Sequence, residues 1–176
     1  DILLTRDGGT NLLTSGLTVT VMPGNIVRLG GLAKLTAVAG QYAATVLGSG
    51  IRDLAGNAVL NDLTVLWTLD LEVPAAPFNL AVVPDTGVAD DDATTNAMTV
   101  EITGETLEPD LTVYLWDETI GESLGTTVTQ DTTFRQEVTF VAPGVHRLRV
   151  YAVDRAGNRS PDAFLELFID VTPPVV

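Results

Sequence analysis

The stretch Pro-Asp-Thr-Gly-Val-Ala-Asp-Asp-Asp-Ala-Thr-Thr-Asn, residues 84–96, is where the sequence concentrates residues able to do chemistry. It holds four carboxylates, Asp85, Asp90, Asp91 and Asp92, within eight positions, followed by Thr95 and Asn96. Hard oxygen donors grouped on a glycine-containing loop suit Ca²⁺, which takes about six to eight oxygens at about 2.3–2.6 Å. Like charges this close repel one another unless something neutralises them. Two readings follow: a calcium site, or a solvated acidic turn whose carboxylates cap backbone N–H groups. The spacing does not follow the helix-flanked calcium loop with acids at alternate positions, so a metal here requires a different loop geometry.

A second pattern is written twice. Asp-Leu-Ala-Gly-Asn, residues 53–57, returns as Asp-Arg-Ala-Gly-Asn, residues 154–158, with Asp53 and Asp154 101 positions apart. In each copy the pentapeptide follows an apolar alternating run and precedes the last one of its half, which predicts a tight hairpin turn. Gly56 and Gly157 supply positive φ, Asp53 and Asp154 accept from backbone N–H groups two or three residues on, and Asn57 and Asn158 tolerate the left-handed region. Turn chemistry accounts for every residue; a metal-ligating role for Asp154 is the alternative. Beside the first copy, Asn61 and Asp62 offer one further carboxylate and one amide oxygen, a thin ligand set.

Other chemistry is thin. Cysteine is absent, which removes disulfides, thiolate metal sites and thiol nucleophiles. The single histidine, His146, is expected as an exposed or half-buried strand residue beside Arg147 and Arg149. No nucleophile elbow, phosphate-binding glycine loop, zinc-helix motif or dinucleotide turn occurs, and no pair of carboxylates is singled out as a glycosidase pair. The chain is therefore expected not to be an enzyme. A balance of 23 acidic against 9 basic residues, a formal net charge of -14, lacks the basic face that displaces counterions from phosphate, so nucleic acid is excluded as a partner. No apolar run is long enough to insert in a membrane as a helix.

What must position the acidic loop is β-structure. Apolar residues alternate or come in short runs cut by Gly, Pro, Asn and Asp, with no long helical period. Strands are predicted at 2–5, 17–22, 26–29, 41–47 and 63–71, then at 79–83, 97–103, 111–117, 123–128, 133–140, 145–153 and 164–171. Between the two sets, Pro74 and Pro77 break the ladder and extend the chain. The same strand-to-proline passage recurs at the end, with Asp70 and Asp170 100 positions apart. Residues 1–72 thus read as one domain, 73–77 as a linker, 78–172 as a second domain and 173–176 as the start of another linker. The first domain is short by one or two N-terminal strands, so either these belong to a longer protein of which this is a piece, or another strand completes the edge. Trp67 and Trp116 are predicted to fill the core; because Tyr114 and Trp116 are two apart and share a face, a sugar-stacking platform is the rival.

The segments "GLAKLTAVAGQYAATVLGSGIRDLAGNAVLNDLTVLWTLD" and "APGVHRLRVYAVDRAGNRSPDAFLELFIDVTPP" resemble the C-terminal halves of bacterial Ig-like repeats, found in tandem in very large secreted or surface-attached bacterial proteins, adhesins among them. The resemblance spans essentially the whole chain and implies an all-β fold of two tandem Ig-like β-sandwich domains. Residues 84–96 are similar to the Asp-Thr-Gly loop of calcium-binding adhesin repeats, with Asp85, Gly87, Asp92, Thr95 and Asn96 at matching positions and Asp90 and Asp91 as additional acids. It implies Ca²⁺ near a domain junction. The expected function is a stalk or spacer in an extracellular or cell-surface bacterial protein, with neighbouring repeats of the same chain as partners. The alternatives are a module that binds glycan or a surface protein, and an assembly in which a neighbouring strand completes the first domain.

Overall fold

The computed structural model describes residues 2–13, 17–24, 26–89 and 91–175; Asp90, one of the four loop carboxylates, lies outside the described residues. The chain divides into two compact units, Asp1–Leu71 and Glu72–Val176, and among the described residues it contains strands and one short 3₁₀ turn but no α-helix. The fold class is all-β, of Ig-like type.

The first unit carries β1 (Ile2–Arg6), β2 (Thr18–Met22), β3 (Ile26–Gly30), β4 (Gly40–Val46), the 3₁₀ turn Gly48–Gly50 and β5 (Leu63–Leu69). One antiparallel sheet runs β1-β4-β5, and β2 and β3 form a separate hairpin. Its sealed core is small: Leu4 and Tyr42 are its only buried large apolar side chains among the described residues. The Tyr42 ring stacks on Trp67 at 5.3 Å, and its hydroxyl donates to the carbonyl of Val38. Trp67, expected in the core, is only half-buried. The cause is visible in the topology: among the described residues, no second sheet of three strands lies in this unit to close over it.

The second unit carries β6 (Phe78–Val83), β7 (Thr94–Thr95), β8 (Thr99–Glu105), β9 (Thr112–Asp117), β10 (Glu122–Val128), β11 (Thr133–Thr139), β12 (Gly144–Val153) and β13 (Ala163–Ile169). A five-stranded sheet, β10-β9-β12-β13-β7, faces a three-stranded one, β11-β8-β6. Val82, Val100, Ile102, Phe134 and Val138 from the smaller sheet meet Val113, Leu115, Leu148, Val150, Leu167 and Ile169 from the larger, all buried. Period-two alternation explains the sandwich, since each strand sends every second side chain inward.

That same parity corrects one expectation. On β9 the inward set is Val113, Leu115 and Asp117, so Tyr114 and Trp116 stand on the outer face, half-buried, and Trp116 is not a core residue. A shift of one position exchanges the two faces, and aromatic size alone does not choose between them. Predicted and observed strands otherwise differ by one or two residues at their ends, except that the two-residue β7 was hidden inside the acidic loop.

Candidate functional site

The acidic loop leaves β6 at Val83 and folds back upon itself. Oδ2 of Asp85 accepts the N–H of Ala93 at 3.0 Å, and Oδ1 of Asp92 accepts the N–H of Thr94 at 3.0 Å. The N–H groups of Thr86 and Gly87 both donate to the carbonyl of Thr94, and the Thr86 hydroxyl accepts from the N–H of Asn96 at 2.8 Å. A Cβ on Gly87 would come within 2.9 Å of Asp92 Oδ1 and 3.1 Å of the Thr94 Cβ, so a larger residue there would have to displace the Asp92 carboxylate. The consequence is positional: residues 94–95 are presented as strand β7 beside β13.

One atom stands apart. Oδ1 of Asp85 is buried and has no hydrogen-bond partner among the described residues, which costs free energy in the absence of a donor or cation. Asp85 and Asp91 line one hollow of about 170 Å³ with Leu80, Ala81, Val82, Ala93 and Leu165. Among the described residues, no three acidic or imidazole side chains converge as a metal cage.

The two pentapeptides are built alike. Oδ1 of Asp53 accepts from the N–H groups of Ala55 and Asn57, each at 2.9 Å, and Oδ2 accepts from the Asn57 side-chain amide at 2.9 Å. Asp154 repeats the set with Ala156 at 2.8 Å, Asn158 N–H at 2.9 Å and the Asn158 amide at 2.8 Å. Gly56 and Gly157 adopt φ of 90° and 92°, and isolated bridges Arg52 to Ala58 and Val153 to Arg159 close each turn. Donation from the asparagine amide, reinforced by backbone N–H groups, holds both carboxyls below the usual carboxylate range. Asp154, a candidate calcium ligand, thus directs both of its oxygens into its own turn. Asp62 likewise spends Oδ1 on the N–H of Gly48.

A family model for the bacterial Ig-like domain matches residues 71–171. The chain belongs to that family. No curated protein matches it. Among solved structures, it is similar to a biofilm-associated protein BSP domain, with 16% identity over 98% of this chain and 25% of that one, at a TM-score of 0.36. Fibronectin(III)-like modules of Clostridium thermocellum CbhA share 14% identity over 96% of this chain and 76% of theirs, with a TM-score of 0.40. The D00-D0 domain of intimin shares 10% over 96% and 84%, with a TM-score of 0.33. The chain therefore spans about a quarter of the biofilm-associated protein chain it matches. Likenesses this distant carry no argument about activity.

On the outer face of the Ig-like unit the aromatic rings are occupied by neighbours. Tyr114 and Tyr151 are cross-strand partners whose rings stack at 5.0 Å, nearly parallel with an interplanar angle of 2°. Arg159 lies over Tyr151 at 3.9 Å, Arg149 over Trp116 at 5.9 Å and Arg147 over Phe164 at 4.4 Å. Glu118 accompanies both Arg147 and Arg149. A sugar-stacking platform needs an open ring face; here a face of each of these rings is engaged by another ring or a guanidinium.

His146, expected as an exposed or half-buried strand residue, is buried. Its Nδ1 lies 2.6 Å from Oδ2 of Asp117 and its Nε2 lies 3.0 Å from the carbonyl of Ala142. Asp117 is on the inward set of β9, so the pair sits inside the sandwich with the Phe140 ring 4.5 Å from the imidazole. No sequence signal linked these two residues, which lie 29 positions apart.

Proposed function

We propose that this chain is a structural spacer of a large bacterial secreted or surface protein, holding an adhesive or enzymatic module away from the cell, with no catalysis of its own. The observation that carries the reading is the twice-built turn. A unit whose Asp-x-Ala-Gly-Asn hydrogen bonds recur partner for partner 101 residues later is built for end-to-end repetition, with neighbouring repeats as its partners. Membership of the bacterial Ig-like family supports the extracellular bacterial setting.

Calcium is part of the proposal. The buried, unpartnered Oδ1 of Asp85 supports it, and Asp85 and Asp91 would supply the charge, with backbone carbonyls and water completing the coordination. A divalent cation there would neutralise the loop and stiffen it.

A second reading, completion of the first unit by added strands, is favoured by one contrast. Counted from Asp70 and Asp170, Trp67 and Leu69 hold the places of Leu167 and Ile169; the latter are 0% and 1% exposed, while the former are half-buried and nearby Val65 is 57% exposed. In the second unit the smaller sheet β11-β8-β6 seals these positions, so strands of β6 and β8 pattern are what the first unit accepts.

The spacer reading is tested by stretching single molecules of the whole chain and relaxing them repeatedly. A spacer returns the same unfolding step for the second unit over many cycles; a chain that fails to refold after its first extension is no load-bearing element.

A further inference from the structure

Among the described strands, all pairings are antiparallel except one: β7 lies parallel to β13, with Thr94 opposite Phe168 and Thr95 opposite Ile169. This pair joins the segment through which the chain enters the second unit to the segment through which it leaves. The N–H of Phe168 donates to the carbonyl of Ala93 at 3.0 Å, and the N–H of Asp170 donates to that of Thr95 at 2.9 Å. Tension arriving through residues 72–77 and leaving after Ile169 pulls parallel neighbours from opposite ends. Both hydrogen bonds are then strained together, in shear. An antiparallel pair such as β12 and β13, pulled from its open end, parts one bond at a time.

We propose that β7 and β13 form the mechanical clamp of the second unit, and that the acidic loop is its fastening. The proposal rests on the load-bearing reading above. Two residues cannot persist as a strand unaided, and here nearly every backbone group around them is held. Asp85 takes the N–H of Ala93, Asp92 takes the N–H of Thr94, and Thr86 and Gly87 donate to the carbonyl of Thr94. Ala93 sits at φ 55°, a left-handed conformation costly for a residue with a Cβ, and it turns the Ala93 carbonyl to Phe168. The Thr95 side chain is buried, 1% exposed, which anchors the strand inward. By contrast β6, the first element to feel the load, pairs with β8 through an irregular register between Phe78 and Ala81. Once β6 yields, the load falls on β7. The loop also covers the open edge of β13, which would otherwise offer unpaired groups to another chain.

The test uses pulling direction in the full chain, which has no native cysteine to confuse attachment. Handles at Val73→Cys and Val171→Cys load the clamp in shear; handles at Val141→Cys and Val171→Cys open β12 from β13. All three valines are exposed. A high rupture force in the first geometry and a low one in the second is expected. Adding Asp170→Pro, which removes the donor to Thr95 outside the β12 ladder, should abolish the high-force event, while Asp170→Ala, which keeps that N–H, should retain it with an unchanged pulling geometry. Equally high forces in both directions, or a high force that survives Asp170→Pro, overturn the clamp and leave the spacer standing. Low force in both directions overturns the spacer reading as well. The directional comparison keeps the question answerable should Asp170→Pro fail to fold.

Discussion

Nδ1 of His146 and Oδ2 of Asp117 meet at 2.6 Å with both side chains buried, one at the start of β12 and the other at the end of β9. Both ring nitrogens face oxygens, the Asp117 carboxyl on one side and the Ala142 carbonyl on the other, so each has a hydrogen-bond partner. Oδ1 of Asp117 is used too, accepting the N–H of Thr119 at 2.9 Å, so the carboxylate ties two strands and the turn after β9. Removing one partner strands the other in an apolar interior. His146→Ala or Asp117→Ala alone is expected to cost about 3–5 kcal/mol, and replacing both by leucine should recover much of the loss. Urea unfolding of the two single variants and the double variant measures this; losses that simply add would show that the two groups are not coupled.

Acid should weaken the pentapeptide turns. Their folded carboxyls titrate below the unfolded ones, so the stabilisation is present above the unfolded value, about pH 3.9 for aspartate, and is lost as the pH falls through the folded value. The difference in melting temperature between wild type and Asp154→Ala should therefore be largest near neutrality and shrink below about pH 4. A difference independent of pH would place the contribution of Asp154 outside its charge.

Calcium should raise the stability of the second unit. An ion that binds the folded state alone at a hundred times its dissociation constant adds about 2.7 kcal/mol. Thermal unfolding with excess Ca²⁺ and then with chelator reads the shift, and Asp85→Asn should erase it. An unchanged midpoint in wild type removes the ion from the loop.

The two units should respond differently to truncation of an apolar side chain in their last strands, β13 and β5. Leu167→Ala, in the sealed sandwich, is expected to cost about 2–5 kcal/mol. Val65→Ala, on the open sheet, should change stability by no more than about 0.5 kcal/mol. Denaturant titrations followed by strand-specific probes separate the two; a large loss at Val65 would mean that the first unit is covered in solution.

The outer-face aromatics should matter for stability. Tyr151→Leu breaks the stack with Tyr114 and the contact with Arg159, and the pair term alone is expected to cost about 0.5–1.5 kcal/mol. Titration with soluble oligosaccharides while monitoring Trp116 fluorescence provides the contrast: a saturable change would restore the sugar-platform reading.

Much of this molecule was legible before any coordinates. Alternating apolar runs set the strands because a pleated backbone sends successive side chains to opposite faces, and Asp-x-Ala-Gly-Asn announced its turn because its hydrogen bonds close within five residues. The crowding of Asp85, Asp91 and Asp92 was equally local. Tertiary structure alone decided the rest. Which face of β9 points inward, and hence that Trp116 stands outside while Asp117 is buried against His146, depends on the opposing sheet and not on residue type. That Thr94 and Thr95 form a strand depends on β13, more than seventy positions away in sequence, since two residues have no periodicity to read. Local chemistry is written in neighbouring letters; pairing between distant segments is chosen only when the whole sandwich closes.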